Sequence, residues 1–213
     1  KEVKSGEFIG WDDPRTWSIQ SLRRRGFTPQ AIRDFVKEIG LNKQDIIVPI
    51  ESFYAINRKI IDSTSLRDHF VDDPIELEIQ DAPDIDKVDI PIHPDKKEKR
   101  VVRVTPGRVW ISKKDYESFN GKEVRLLHLY NIKISGKKAV FTSLENKDIP
   151  KIHWVSFPEK TRVLMPDGKW IEGFADENIS ELKGGEVIQF ERNFFCRFDK
   201  KNRDVYEFWF THQ

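Results

Sequence analysis

The chain has 213 residues, of which 38% are hydrophobic, 34% charged and 12% aromatic, and its formal net charge is +1 at pH 7. That length buries a real core in one large or two to three small domains, and the aromatic content excludes a disordered chain. The near-zero charge excludes a uniformly basic nucleic-acid binder, but not one whose basic side chains cluster on one face.

A single cysteine, Cys196, excludes an internal disulfide framework and suits a reducing, cytoplasmic setting. No apolar run is long enough to span a bilayer, and no signal peptide is present, so no membrane partner is expected. The sequence opens at Lys1 in mid-pattern, which is the expectation for a fragment of a longer protein.

In chain order, Gly10 to Arg15 reads as a rigid acidic turn. Pro14 fixes its own φ and biases Asp13 away from helix, so Asp12 and Asp13 fall in the turn. A short helix follows, with Ser18 as N-cap, Ile19 and Leu22 as the inward face, and Arg23, Arg24 and Arg25 in the last turn. Cations suit that negative end of the helix dipole, and Gly26 is a natural residue just past it. Thr28 caps the next helix, with Pro29 at its first position and Ile32, Phe35, Val36 and Ile39 at helical spacing up to Gly40. Leu41 to Asp45 is a polar connection carrying Lys43 and Gln44. Another helix is expected over Glu51 to Ile61, with Phe53, Ile56 and Ile60 on one side.

Near Val71 to Pro74 the period changes from helix to strand. Strands are expected over Glu76–Ile79, Val88–Ile92, Val101–Val104, Arg108–Ile111, Glu123–Ile134, Ala139–Ser143 and Ile152–Phe157. Further strands are expected over Thr161–Met165, Trp170–Phe174, Glu186–Glu191, Phe194–Phe198 and Val205–Phe210. Lys113 to Phe119 reads as a short helix. Turn signals such as Thr105-Pro106-Gly107, Asn120-Gly121, Ser135-Gly136 and Pro166-Asp167-Gly168 punctuate the run. The fold class is mainly β with an N-terminal helical part, its strands forming antiparallel barrels or sandwiches.

No catalytic chemistry is legible. There is no glycine-rich phosphate loop, and Gly184-Gly185 reads as a hairpin turn. His69, His93, His128, His153 and His212 show no metal-ligand spacing, and one cysteine cannot anchor a zinc site, so no metal is expected. Asp12 and Asp13 have no His, Lys or metal partner in sequence that would make them an acid/base pair.

Taken together, GWDDPR at 10–15, LRRRG at 22–26, TPQAIRDFVKEIG at 28–40, NKQD at 42–45 and the distant QFER at 189–192 resemble one family. It is the class I glutamyl- and glutaminyl-tRNA synthetases, in the region after the catalytic domain, and the resemblance covers essentially the whole chain. It implies a small helical tRNA stem-contact domain over 1–73. It also implies an anticodon-binding region over 74–213 built of two strand-exchanged antiparallel β-barrels of the kind a ribosomal protein also shows. The strand-rich tail resembles the archaeal/eukaryotic glutamyl type rather than the bacterial one.

By the same resemblance, Gln189 and Arg192 bind the central anticodon uridine and Arg67 joins their pocket. An amide beside a guanidinium suits the acceptor, donor, acceptor edge of uridine. On a regular strand Gln189 and Glu191 face one way and Phe190 and Arg192 the other, unless a bulge intervenes. Arg125 corresponds to a wobble-base arginine. Leu127 departs from the glutaminyl pattern, which has a second arginine there, and this favours the glutamyl branch or an enzyme tolerant of both tRNAs. Arg23, Arg24, Arg25, Lys43 and Gln44 are implied contacts to the tRNA backbone. Trp11, Asp12, Asp13 and Arg15 are implied to pin the turn or couple anticodon binding to the active site. The implied partner is glutamate tRNA, alone or together with glutamine tRNA. No cofactor is expected in this stretch, with ATP and Mg2+ belonging to the absent catalytic domain. The reading from another class is a β-barrel that binds protein.

Overall fold

The computed structural model describes residues 2–40 and 47–213; Lys43 and Gln44 lie outside the described residues. Four helices come first: α1 (Glu2–Ser5), α2 (Ile19–Arg25), α3 (Pro29–Ile39) and α4 (Ile50–Ile61). Capping sets two of these starts. The Ser18 hydroxyl accepts from the Ser21 amide at 3.0 Å, and the Thr28 hydroxyl accepts from the Ala31 amide at 3.0 Å. Gly26 ends α2 in the left-handed region at φ 95°, which lets the Phe27 amide reach back to the Leu22 carbonyl at 3.0 Å. The inward face of α2 is Ser21, Leu22 and Arg25, whereas Ile19 is 62% exposed, against the sequence expectation. A seven-residue helix buries only one stripe, and here that stripe begins a turn later.

The next elements are β1 (Leu66–Asp68), β2 (Phe70–Asp72), β3 (Pro74–Gln80), β4 (Lys87–Pro91), β5 (Lys99–Arg103) and β6 (Arg108–Ser112). They are followed by α5 (Lys113–Phe119), β7 (Glu123–Leu126), β8 (Asn131–Ser135), β9 (Lys138–Ser143) and β10 (Lys151–Ile152). The last are β11 (Pro158–Leu164), β12 (Trp170–Asp176), a 3-10 turn (Glu177–Glu181), β13 (Val187–Phe190), β14 (Phe194–Asn202) and β15 (Val205–His212). The run expected as one strand over 123–134 is therefore two, split by a turn at Leu127–Tyr130 in which His128 takes φ 64°. The strand expected over 152–157 stops at Ile152, and β1 and β2 occupy a stretch for which the sequence pattern indicated no element, inside the part the resemblance assigned to the helical domain.

The strands form a six-stranded sheet, β10-β7-β8-β9-β3-β6, a seven-stranded sheet, β1-β13-β14-β15-β11-β12-β2, and the separate hairpin β4-β5. Pairing is mainly antiparallel, with parallel seams at β1/β13, β7/β10, β3/β9 and β11/β15. Both large sheets curl onto themselves. The two edges of the seven-stranded sheet are β1 and β2, which are consecutive in the chain and separated by His69 alone. The six-stranded sheet is closed by Val155, just beyond β10, which exchanges both backbone hydrogen bonds with Trp110 of β6 at 2.7 and 2.9 Å. β1 and β2 precede the six-stranded sheet in sequence but lie in the seven-stranded one, so the six-stranded barrel is inserted between β2 and β11 of the other, and the expected mutual exchange of strands is instead a one-way insertion.

Each barrel has its own core. Leu77, Val109, Ile111, Leu126, Tyr130, Ile132 and Trp154 fill the first; Phe70, Val163, Phe190, Cys196, Phe198 and Phe208 fill the second. Each such side chain removed from water contributes roughly 1.5–3 kcal/mol before chain entropy is counted. The last strand, β15, is buried on both faces. Tyr206, Phe208 and Phe210 point into the second core, while its outer face is covered by the helical part.

That docking has a pH signature. His212 is fully buried among Phe27, Tyr54 and Phe195, and burial, aided by Arg58 and Arg25, pushes its imidazole down to about 4. The unfolded chain takes up this proton near pH 6.5 and the folded chain only near 4. The contribution is therefore absent above pH 6.5, and stability falls as pH drops from about 6.5 to about 4, by roughly 3 kcal/mol in all. Urea melts of the unaltered chain and of His212→Phe across that range should diverge, with the variant less acid-sensitive. Parallel pH profiles would remove the role given to His212.

Candidate nucleic-acid interface

The acidic turn closes on itself. Asp13 is buried and accepts from the Ile9 amide at 2.9 Å and the Arg15 amide at 3.0 Å. It also accepts from Arg15 Nε and Nη2, both at 2.8 Å. The paired guanidinium outweighs burial and holds the Asp13 carboxyl at about 2. Arg15 also lies 4.1 Å over the Phe8 ring, and exposed Trp11 accepts from the Thr16 hydroxyl through its carbonyl at 2.9 Å. Asp12 reaches outward to Arg24 Nη1 at 2.6 Å.

The three arginines of α2 have different surroundings. Arg23 is exposed. Arg24 binds both oxygens of Asp199 on β14, at 3.0 and 2.8 Å, and lies 4.0 Å over the Trp209 ring. Arg25 has no exposed surface. Its Nε donates to the Phe210 carbonyl at 3.0 Å and its Nη2 to the Thr211 carbonyl at 3.1 Å. The backbone contact to phosphate expected of Arg25 therefore has no face to form on. Its charge is directed at the last strand, where carbonyl oxygens stand in for a carboxylate.

On the barrels, β1 and β13 run parallel with Arg67 directly beside Gln189. Arg67 Nε and Gln189 Oε1 are buried and have no hydrogen-bond partner among the described residues. Among the described residues the Arg67 guanidinium makes only a long 3.4 Å contact, to Asp62. It also lines a cavity of about 260 Å³ with Leu66, Asp68, Arg100, Asn178 and Ile188. A buried donor and acceptor left open side by side are costly unless a ligand completes them. The cavity wall is fixed by Arg100, from β5, which bridges Asp68 at 3.0 Å and Asp176 at 2.9 Å. Burial pushes the Asp68 carboxyl up to about 7 against the pull of that guanidinium.

Arg192 is not on the strand of Gln189. Strand β13 ends at Phe190, and Arg192 sits in the following turn at φ 62°. Its guanidinium donates to the Lys151 carbonyl on β10. Lys151 is the register partner of Arg125, so Arg192, Lys151 and Arg125 gather at one end of the first barrel. Arg125 is largely occupied there: it donates to Asn131 Oδ1 at 2.9 Å and to the carbonyls of Leu129, Leu144 and Glu145. Those bonds hold the Leu127–Tyr130 turn against the loop that follows β9. The structure thus joins Arg67 with Gln189, and Arg192 with Arg125, as two neighbourhoods.

Sequence spacing indicated no metal set, yet His69, His153 and Glu191 offer ligand atoms all within 4.8 Å of one another. Each lies next to the end of a short strand, and no local spacing in the sequence could have joined them. Among the described residues no helix is long and apolar enough to cross a membrane.

One barrel inserted in another, with Arg67 and Gln189 paired across a parallel strand seam, is the architecture against which the family comparisons stand. The family model described as "tRNA synthetases class I (E and Q), anti-codon binding domain" matches residues 65–150, and a second model of the same description matches residues 141–199. The chain belongs to this class I (E and Q) tRNA synthetase family, as its anticodon-binding domain. Among its relatives is a glutamate–tRNA ligase of Pyrococcus abyssi, 38% identical over 94% of this chain and 38% of that protein. Glutamate–tRNA ligases of Methanococcoides burtonii and Methanocaldococcus jannaschii are 38% and 34% identical over 100% of this chain and over 38% and 40% of theirs. The chain thus spans about two-fifths of the length of the curated relatives it matches.

Proposed function

We propose that this chain reads the anticodon of glutamate tRNA as part of an ATP-dependent glutamate–tRNA ligase and docks the tRNA for glutamylation. The observation that carries the reading is the Arg67–Gln189 pair. It presents an unmatched donor and acceptor at one strand seam, and Arg67 of the pair lines a cavity with room for a single base. Single-stranded RNA is read in this way, by splaying a base out and hydrogen-bonding its Watson–Crick edge. Arg192, exposed on the turn after β13, offers a second contact from the neighbourhood it shares with Arg125, and Arg23 on α2 faces outward as a phosphate contact. Arg125 serves that second neighbourhood by bracing the Leu127–Tyr130 turn. Glutamylation, ATP and Mg2+ belong, on this reading, to a catalytic part outside these residues, in a cytoplasmic enzyme. Leu127 and the relatives named above favour glutamate tRNA over glutamine tRNA.

The test is filter binding of the chain to transcribed glutamate tRNA, glutamine tRNA and glutamate tRNA altered at the central anticodon base. Arg67→Ala is expected to weaken glutamate tRNA binding by about 1–3 kcal/mol, roughly 5- to 150-fold in Kd, and to erase discrimination at the central base. Arg23→Ala should weaken all the tRNAs alike and flatten the salt dependence. If the unaltered chain binds central-base variants equally well, the barrel seam is not the reader.

A further inference from the structure

The two barrels close at the same place. His69 is the only residue between the edge strands of the seven-stranded sheet, and His153 lies between β10 and the Val155 bridge that closes the six-stranded one. Their rings are 4.9 Å apart. Glu191 follows β13, and its amide donates to the Asp68 carbonyl at 3.0 Å, which holds it beside His69.

We propose that His69, His153 and Glu191 form a binding site for one zinc ion that clips the two barrel closures together. Their ligand atoms all lie within 4.8 Å of one another. Zinc bonds of 2.0–2.1 Å in tetrahedral geometry place ligand atoms about 3.4 Å apart, so a small inward movement of side chains completes the set. His69 Nδ1 is hydrogen-bonded to the Trp154 carbonyl at 3.0 Å, so it carries the proton and leaves the lone pair on Nε2. Holding one ring nitrogen against a carbonyl is how proteins orient a metal-bound imidazole. Among the described residues neither Nε2 of His69 nor Nε2 of His153, both buried, has a hydrogen-bond partner, the state a ligand nitrogen would be in before its ion arrives.

Burial also keeps both rings neutral, the form that binds metal: His153 is pushed down to about 4 and His69 well below its ordinary value. The surrounding charge is mixed. Arg192, Arg100 and His128 act against a cation, and Glu191 supplies the ligand charge that offsets them. Two imidazoles and one carboxylate with an open fourth position form a donor set suited to zinc rather than to magnesium or calcium. The site stands apart from the tRNA reading and holds or fails without it.

The chain is stripped with a chelator, loaded with zinc or with cobalt(II) as an optical probe, and desalted before its bound metal is measured. One equivalent of zinc should be retained, with visible cobalt bands of a low-coordinate site and a raised melting temperature. His153→Gln and Glu191→Gln should each lose the equivalent, while His93→Gln should keep it. Glu191 lies in a half-buried turn, so its variant should remain folded by circular dichroism and keep the comparison valid. Loss of metal from the unaltered chain on desalting would overturn the proposal, as would full retention by folded Glu191→Gln and His153→Gln.

Discussion

Gly173→Ala is expected to lower the stability of the chain by about 3 kcal/mol or more, a fall in Tm of roughly 6–12 °C for a protein of this size. Gly173 sits on β12 opposite Asp72 of β2, in the strand pair that completes the seven-stranded barrel. A Cβ there would land against the Val71 carbonyl oxygen and the edge of the Phe70 ring. The carbonyl is backbone and cannot rotate away, so relief requires β2 to move from the sheet. That movement would also disturb His69, because β2 begins one residue after it. Thermal melts should show the loss, and adding Phe70→Leu should restore only a minor part, since the backbone clash persists. A change within about 0.5 kcal/mol, the range of an ordinary surface substitution, would mean that the two strands are not packed this closely.

The same strand pair shows where sequence reading ran out. The helices were legible because their ends carry local chemistry: Ser18, Thr28 and Pro29 at the starts, Gly26 and Gly40 at the stops. The long strands were legible from alternation and the glycine turns between them. β1 and β2, with three residues each, are too short to show any period, and the closure they make is set by partners far along the chain. One turn was hidden because a non-glycine residue, His128, adopts positive φ in a run that read as continuous strand, and Arg192, also at positive φ, leaves the strand one residue beyond its expected end at Glu191. Of the candidate site, the pairing of Arg67 with Gln189 could be guessed only through family resemblance, because parallel register between distant strands leaves no local mark. The histidine pair was illegible for the same reason: the topology, not the spacing, brings His69 to His153.

The burial of Arg25 is the clearest case of a charge pattern misleading at the level of single residues. Three consecutive arginines read as one cationic helix end, but the 100° step between helical residues sends each in a different direction. Arg23 goes to solvent, Arg24 to Asp12 and Asp199, and Arg25 into the seam between α2, α4 and β15. There its guanidinium is stacked near Trp17, at 4.7 Å, and Phe27, at 5.2 Å, and bonded to two carbonyls of the last strand. Arg25→Ala should cost about 3–5 kcal/mol, from the cavity, the lost aromatic contacts and the carbonyls left without their donors. Arg25→Met keeps most of the volume and removes a buried charge that has no carboxylate partner among the described residues, so its cost should be smaller, about 1–2 kcal/mol. The two variants separate packing from polar bonding. Equal losses in denaturant melts would assign the whole effect to the hydrogen bonds, whereas a Met variant as stable as the parent would assign it to packing. Either variant should bind tRNA less tightly only in so far as the helical part detaches from the barrels. Arg23→Ala, by contrast, should weaken binding with no change in stability, because it alone of the three faces the solvent.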